Sequence, residues 1–142
     1  MDTEVHPKAK KPLPHPSPET LPFWQAAKSH RLLLPLCNVC GRFWFPPTQR
    51  CAHCLASDFV WRDSKGAGRV YSFVVYHRVY HPGFENEVPY VVAVVELDEG
   101  PRLITNIVGV SPDKVLCDMR VKVVFDDSET GVPIPKFTPA AM

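Results

Sequence analysis

At 142 residues the chain has room for one ordinary domain, or for a small module joined to a compact barrel. A hydrophobic share of 45% and a charged share of 22% describe a folded soluble protein. The longest apolar run, Pro89 to Val95, is too short to span a bilayer. A formal net charge of +1 excludes the broad cationic surface that drives nucleic-acid binding, while leaving room for a local basic patch.

The first residues, Met1 to Lys8, hold no apolar core for a signal peptide, so a reducing cytoplasm is the expected setting. In that setting clustered cysteines point to a metal rather than to disulfides. The five cysteines fit four ligands and one spectator. Residues 1–19 form a proline-rich leader, with Pro7, Pro12, Pro14, Pro16 and Pro18 and basic Lys8, Lys10 and Lys11. That spacing excludes helix and sheet centre and predicts an extended segment, either a solvated leader or an arm that wraps a partner.

A short helix is predicted from about Thr20 to His30, capped by Thr20, with Pro22 in its first turn and Phe23, Ala26 and Ala27 on one apolar face. Leu32 to Leu36 read as a buried strand, and Phe59 to Trp61 as a second that closes the module spanning 20–65. Gly66-Ala67-Gly68 marks a break. Beyond it, in 66–142, five strand-like runs follow: Val70 to Tyr80, Tyr90 to Leu97, Leu103 to Val108, Arg120 to Phe125 and Pro133 to Phe137. Five short strands rich in Val, Tyr and Phe, without long helices between them, predict a small closed barrel of the OB type. The fold class is therefore mainly β: an N-terminal helix, a rubredoxin-like zinc ribbon, then a five-stranded OB-fold barrel.

The chemistry sits in Cys37-x-x-Cys40-Gly41 and Cys51-x-x-Cys54, with ten residues between the two pairs. Two residues between paired cysteines let both sulfurs curl around one ion, and Gly41 supplies the positive φ such a knuckle needs. Four thiolates complete a tetrahedral zinc site and leave no open position, so the site is structural. Iron has the same ligand set, and a thioredoxin-like redox pair needs a βαβ setting that is missing here. His53 reads as an exposed knuckle-tip residue, and Cys117 as a buried spectator near the start of a strand.

The combined pattern is wider than the cysteines. Pro22-Phe23-Trp24, the first cysteine pair, Phe45-Pro46-Pro47 and the second pair are followed by Trp61, Gly66-x-Gly68-x-Val70-Tyr71-Ser72-Phe73, Pro89-Tyr90-Val91-Val92 and Glu96-Leu97-x-x-Gly100. This order, from about Pro18 to Phe137, resembles the zinc-ribbon, OB-fold proteins associated with acyl-CoA metabolism. Asp118-Met119 departs from it, since the family usually places glycine before that methionine; Asp tolerates the same left-handed turn. The resemblance implies an accessory subunit in a hetero-oligomer, whose larger thiolase-like partner, or a related acyl-CoA aldolase or hydratase, carries the catalytic residues. It also implies a shared channel for coenzyme A or acyl-CoA.

Coenzyme A needs cations for its phosphates and an aromatic or apolar groove for the rest. Arg42, Phe43, Trp44, Phe45 and Arg50 between the knuckles, with Lys65 and Arg69 at the hinge, offer that mixture. The competing reading has the aromatics packing the ribbon and the arginines offsetting the charge of the thiolate site. Trp24, Trp44, Phe45, Pro46 and Pro47 are candidate partner anchors, as exposed aromatics beside prolines. A free-standing enzyme would have to use His77, His81, Glu85 and Glu87, whose spacing a polar hairpin tip explains equally well. A nucleic-acid reading, open to both ribbons and OB barrels, calls for basic strands, and these strands are mostly uncharged.

Overall fold

The computed structural model describes residues 11–127 and 131–140. Lys8, Lys10 and Pro7 of the leader therefore lie outside the described residues. No helix among the described residues is long and apolar enough to cross a membrane.

Helix α1, Leu21–Ala27, buries Phe23, Ala26 and Ala27, the face expected from the sequence. It is shorter than the predicted segment. His30 turns to φ 56°, and the amides of His30 and Arg31 return to the carbonyls of Ala27 and Ala26, which closes the helix C-terminus with a left-handed residue. Thr20 stands at the N-cap without a side-chain cap bond, because its Oγ1 accepts from the amide of Ser17 at 2.9 Å instead.

Strands β1, Leu33–Cys37, and β2, Phe59–Asp63, form a two-stranded antiparallel ribbon. Its two ends pack differently. Leu32 and Leu34 belong to the main core with Phe23, whereas Cys37, Trp44 and Cys51 form a separate small cluster backed by Ala56 and Phe59. Trp44 is 2% exposed, set edge-on to Phe59 at 5.2 Å, and its Nε1 donates to Thr48 Oγ1 at 3.0 Å. Trp44 and Pro47 are thus interior residues rather than the surface anchors expected of them, because a ribbon this small needs their bulk to fill its own distal core.

Five strands close the barrel: β3, Ala67–Tyr76; β4, Tyr90–Leu97; β5, Arg102–Ile107; β6, Arg120–Asp126; and β7, Ile134–Pro139. Their order around it is β3-β4-β5-β7-β6, closed by β6 on β3, which is the OB arrangement. Val70, Val91, Val95, Leu97, Val121 and Phe137 fill the interior, each 2% exposed or less. The first barrel strand runs from Ala67 to Tyr76, not from Val70 to Tyr80. Gly66, at φ +70°, makes the break alone, while Gly68 is already in the ladder opposite Leu97.

Within β3 the alternation of buried and exposed residues changes parity at Tyr71. The register slips between Val70, opposite Val95, and Ser72, opposite Val94. This bulge lets Val70 face inward before it and Phe73 and Val75 pack on the core after it, while Tyr71 is extruded to the surface. The parallel seam of β5 and β7 is thin, with Ile107 opposite Phe137, and Thr105 Oγ1 reinforces it by donating to the Pro135 carbonyl at 3.0 Å.

Gly68 marks the closest approach of β3 to β4. A Cβ there would stand 2.4 Å from the Glu96 carbonyl oxygen, which is backbone and cannot swing away. Gly68→Ala is expected to lower the unfolding free energy by about 1–3 kcal/mol, read from the urea midpoint of the metal-loaded chain. A midpoint equal to that of the unmodified chain would contradict this packing.

Candidate functional site

The two cysteine knuckles are copies of one turn. In the first, the amides of Val39 and Cys40 point at Cys37 Sγ at 3.3 and 3.4 Å, and the amide of Gly41 donates to the Cys37 carbonyl at 3.0 Å. In the second, the amide of His53 points at Cys51 Sγ at 3.3 Å, and Leu55 donates to the Cys51 carbonyl at 2.9 Å. Gly41 takes φ 73°, as expected from its place after Cys40. Its counterpart is Leu55 at φ 66°, a position the sequence disguises because no glycine marks it. Leu55 and Val39 are 68% and 66% exposed at the tips of the two knuckles.

All four sulfurs lie within 4.8 Å of one another, with Cys37 to Cys54 at 3.5 Å and Cys40 to Cys51 at 3.6 Å. A tetrahedral zinc with bonds of about 2.3 Å sets its sulfurs about 3.8 Å apart, so the donor set fits the ion. None of the five cysteines is in a disulfide. Amide hydrogen bonds, first that of Cys40, hold the Cys37 thiol down at about 7. The thiol of Cys40 is pushed up to about 12, chiefly by desolvation of its sulfur, although the residue as a whole is exposed. Such a cluster sheds its protons to a metal; without one it cannot ionise fully, because four thiolates would repel.

His53 does not compete as a ligand. Its ring is exposed, with Nε2 at 3.2 Å from the Phe43 carbonyl and Nδ1 at 3.5 Å from the Arg42 guanidinium, so it ties one knuckle to the other. Cys117 is exposed, not buried, because it falls in the turn before β6 rather than on a strand.

Beside the knuckles a cleft of about 520 Å³ opens between ribbon and barrel. Arg42, Phe43, Trp44 and Phe45 line its ribbon side, together with His53. The barrel side brings Glu96, Glu99 and Arg102 from β4, the following turn and β5. Arg102 was not legible as a site residue, since nothing in its local sequence sets it apart. It lies over the Tyr71 ring at 3.8 Å and donates to Glu96 at 3.0 Å, so the β3 bulge provides its platform. Arg102 first, then Arg69, hold the Glu96 carboxyl below the usual carboxylate range. Glu96 is therefore a fixed anion in this cleft and a poor general base.

The other predicted contacts are spread out. Arg69 lies behind Glu96, paired with it at 3.1 Å and with Asp118, which takes the left-handed conformation at φ 68°. Arg50 braces the second knuckle by donating to the Leu55 carbonyl at 3.1 Å. The Lys65 amide, with Ser64 Oγ, binds the Glu99 carboxylate at 2.8 and 2.9 Å, which fastens the ribbon–barrel linker to the β4–β5 turn. Trp24 is half-buried and edge-on to Phe23 at 5.1 Å; Phe45 is half-buried and Pro46 exposed. His81 Nδ1 accepts from the Gly83 amide and Glu87 pairs with Lys11, so these two polar loop residues are engaged with other groups and not with each other.

Fold and site together define a zinc-ribbon/OB-fold protein. The profile of the ChsH2 rubredoxin-like zinc ribbon domain matches residues 24–60, and that of the ChsH2 C-terminal OB-fold domain matches 61–126. A DUF35 domain-containing scaffold protein of Methanocaldococcus jannaschii is 35% identical, over 77% of this chain and 81% of its own. The chain belongs to this ChsH2/DUF35 family. A probable enoyl-CoA hydratase alpha subunit of Thermomonospora curvata is 41% identical over 97% of the chain, which spans 43% of that relative's length. A 3-oxo-4,17-pregnadiene-20-carboxyl-CoA hydratase alpha subunit of Mycobacterium tuberculosis is 33% identical, and the chain spans 36% of it. A solved structure described as an Ltp2-ChsH2(DUF35) aldolase superposes with a TM-score of 0.82 at 39% identity, over 91% of this chain and all of that one.

The chain as purified is expected to carry one zinc ion. Cys40→Ser removes one of four ligands and is expected to abolish stoichiometric metal, with loss of protection in the ribbon, where zinc supplies roughly 10–16 kcal/mol in comparable peptides. Lowering the pH is expected to release the ion, because each proton returned to a sulfur removes a ligand. Metal content after gel filtration checks both; a stoichiometric ion retained by Cys40→Ser would contradict the assignment.

Proposed function

We propose that the chain is a non-catalytic accessory subunit of an acyl-CoA-processing complex, paired with a larger thiolase-like chain that carries the catalytic residues. The observation that carries this reading is the ribbon–barrel cleft. It joins cations to an aromatic wall, and both its carboxylates are already engaged, Glu96 by two guanidiniums and Glu99 by Ser64 Oγ and the Lys65 amide. A site built this way binds and does not transform. The four-thiolate centre points the same way, since it has no open position for a substrate.

Coenzyme A or acyl-CoA is the ligand proposed for the cleft. Arg42 and Arg102 would meet its phosphates, and Phe43 and Phe45 its adenine or pantetheine arm. Arg50, Lys65 and Arg69 would act from outside, by holding the knuckle, the linker and Glu96 in place. Exposed Pro46, with half-buried Trp24 and Phe45 beside it, makes the proposed contacts with the partner. A reducing cytoplasm suits the thiolate centre.

For the activity of the whole complex, the names of the relatives favour a hydratase or an aldolase over a thiolase proper. A nucleic-acid role is disfavoured by the outer face of β4 and β5. There Val92, Val94 and Ile104 stand where an oligonucleotide would need cations.

Arg42→Glu in the purified complex is expected to weaken coenzyme A binding by about tenfold or more, the equivalent of one charge-assisted hydrogen bond, while the partner still co-purifies. Unchanged affinity would remove the cleft from the reading. Recovery of the native chain without any larger protein would remove the accessory-subunit role.

A further inference from the structure

The described part of the leader does not hang free. Of residues 11–14, Lys11 and Pro14 are half-buried and the two residues between them are exposed, while Ser17 is already held in the turn that enters α1. Contact at every third residue is the signature of a polyproline II helix, which has three residues per turn and lays one edge on its support. The sequence enforces that shape: Pro12, Pro14 and Pro16 fix their own φ and push the residue before each into extended backbone.

The support is the barrel. Lys11, Pro12, Leu13 and Pro14 line one side of a groove of about 230 Å³, opposite Phe84, Asn106 and Ile134, with the Asp126–Lys136 ion pair at its edge. The Lys11 side chain is only 11% exposed. Its ammonium sits 5.0 Å from the centre of the Phe84 ring and pairs with Glu87, so both a π face and a carboxylate receive it. Phe84, the one aromatic among the described lining residues, is backed by Tyr90 at 5.6 Å, and Tyr90 by Tyr76 at 5.2 Å, which fixes the ring that receives Lys11.

The place matters as much as the contacts. Phe84 and Glu87 are in the connection between the first and second barrel strands, and Asp126 and Ile134 flank the connection between the fourth and fifth. OB barrels ordinarily bind oligonucleotides and oligosaccharides between these two connections. The groove also covers the thin β5–β7 seam at Asn106 and Lys136.

We propose that the barrel surface around Phe84 and Glu87 is a binding site for a proline-rich segment of polyproline II shape bearing a lysine, and that residues 11–14 of the same chain are its resident ligand. Aromatic shelves that receive such helices work because the ligand is already ordered and loses little entropy on docking. Here the tether adds an effective concentration on the order of millimolar, so modest contacts suffice. While docked, the leader covers one edge of the region on which OB folds take other ligands, at Phe84 and Asn106, and leaves Ile104 exposed. It also leaves the ribbon–barrel cleft untouched, since the two sites share no lining residue.

The test uses the full zinc-loaded chain and a fluorescent peptide with the sequence of residues 9–18, measured by anisotropy. The unmodified chain is expected to bind the peptide poorly, because its own Lys11 already covers Phe84 and Glu87. Lys11→Glu releases the leader, and the peptide is then expected to bind at least about tenfold more tightly. Phe84→Ala or Glu87→Lys, each added to Lys11→Glu, is expected to erase that gain. Zinc content and thermal midpoint equal to those of the unmodified chain show that the barrel is intact. Equal peptide affinity for the unmodified and Lys11→Glu chains, no binding to either, or a gain that survives both groove substitutions would overturn the proposal.

Discussion

Four sulfurs from two turns, separated by ten residues of chain, have to meet within one coordination sphere, and the distal half of the ribbon has little else to hold it. Its private core consists of Trp44 and two of the ligands themselves, with Ala56 and Phe59 alongside. Hydrophobic burial on that scale does not offset the ordering of some twenty residues. The thiolate centre is therefore the constraint on which the knuckles, the Trp44 loop and the ribbon wall of the cleft all depend. The proximal end is different, because Leu32, Leu34 and Phe23 are anchored in the same core as the barrel strands.

The barrel supplies the other wall, and it does so through one irregularity. The bulge at Tyr71 turns a residue out of β3 and gives Arg102 a ring to lie on. Arg102 then converges with Arg69 on Glu96, and Arg69 continues to Asp118, which holds a left-handed turn position. The cleft is thus a junction property. Neither module contains it alone, and the Glu99 clasp on Ser64 and Lys65 fixes the two walls relative to each other.

Much of this was legible in the sequence because the signals are periodic or stoichiometric. Doubled C-x-x-C spacing leaves few alternatives for four thiolates, and valine-rich runs between turn residues read as strands whatever surrounds them. What escaped was set by tertiary context. Trp44 looks like a surface anchor beside Pro46 and Pro47 until the ribbon proves too small to leave it outside. Leu55 adopts a glycine-like conformation because the second knuckle repeats the hydrogen-bonded turn of the first, not because its side chain favours it. Arg102 gains its role only from a bulge thirty residues upstream, and Cys117 loses the burial expected of it by falling in a turn. The leader's prolines announced extended backbone, but only the barrel reveals which edge it presents.

The central claim is that metal, rather than apolar burial, folds the distal ribbon while the barrel stands on its own core. Amide hydrogen exchange on the zinc-loaded and metal-stripped chains tests it most directly. The account predicts that stripping the metal exposes the amides of the knuckles and the Trp44 loop, within residues 37–59, and leaves β3, β4 and β6 protected. Knuckle amides that stay protected without metal, or a barrel that loses protection together with them, would contradict it.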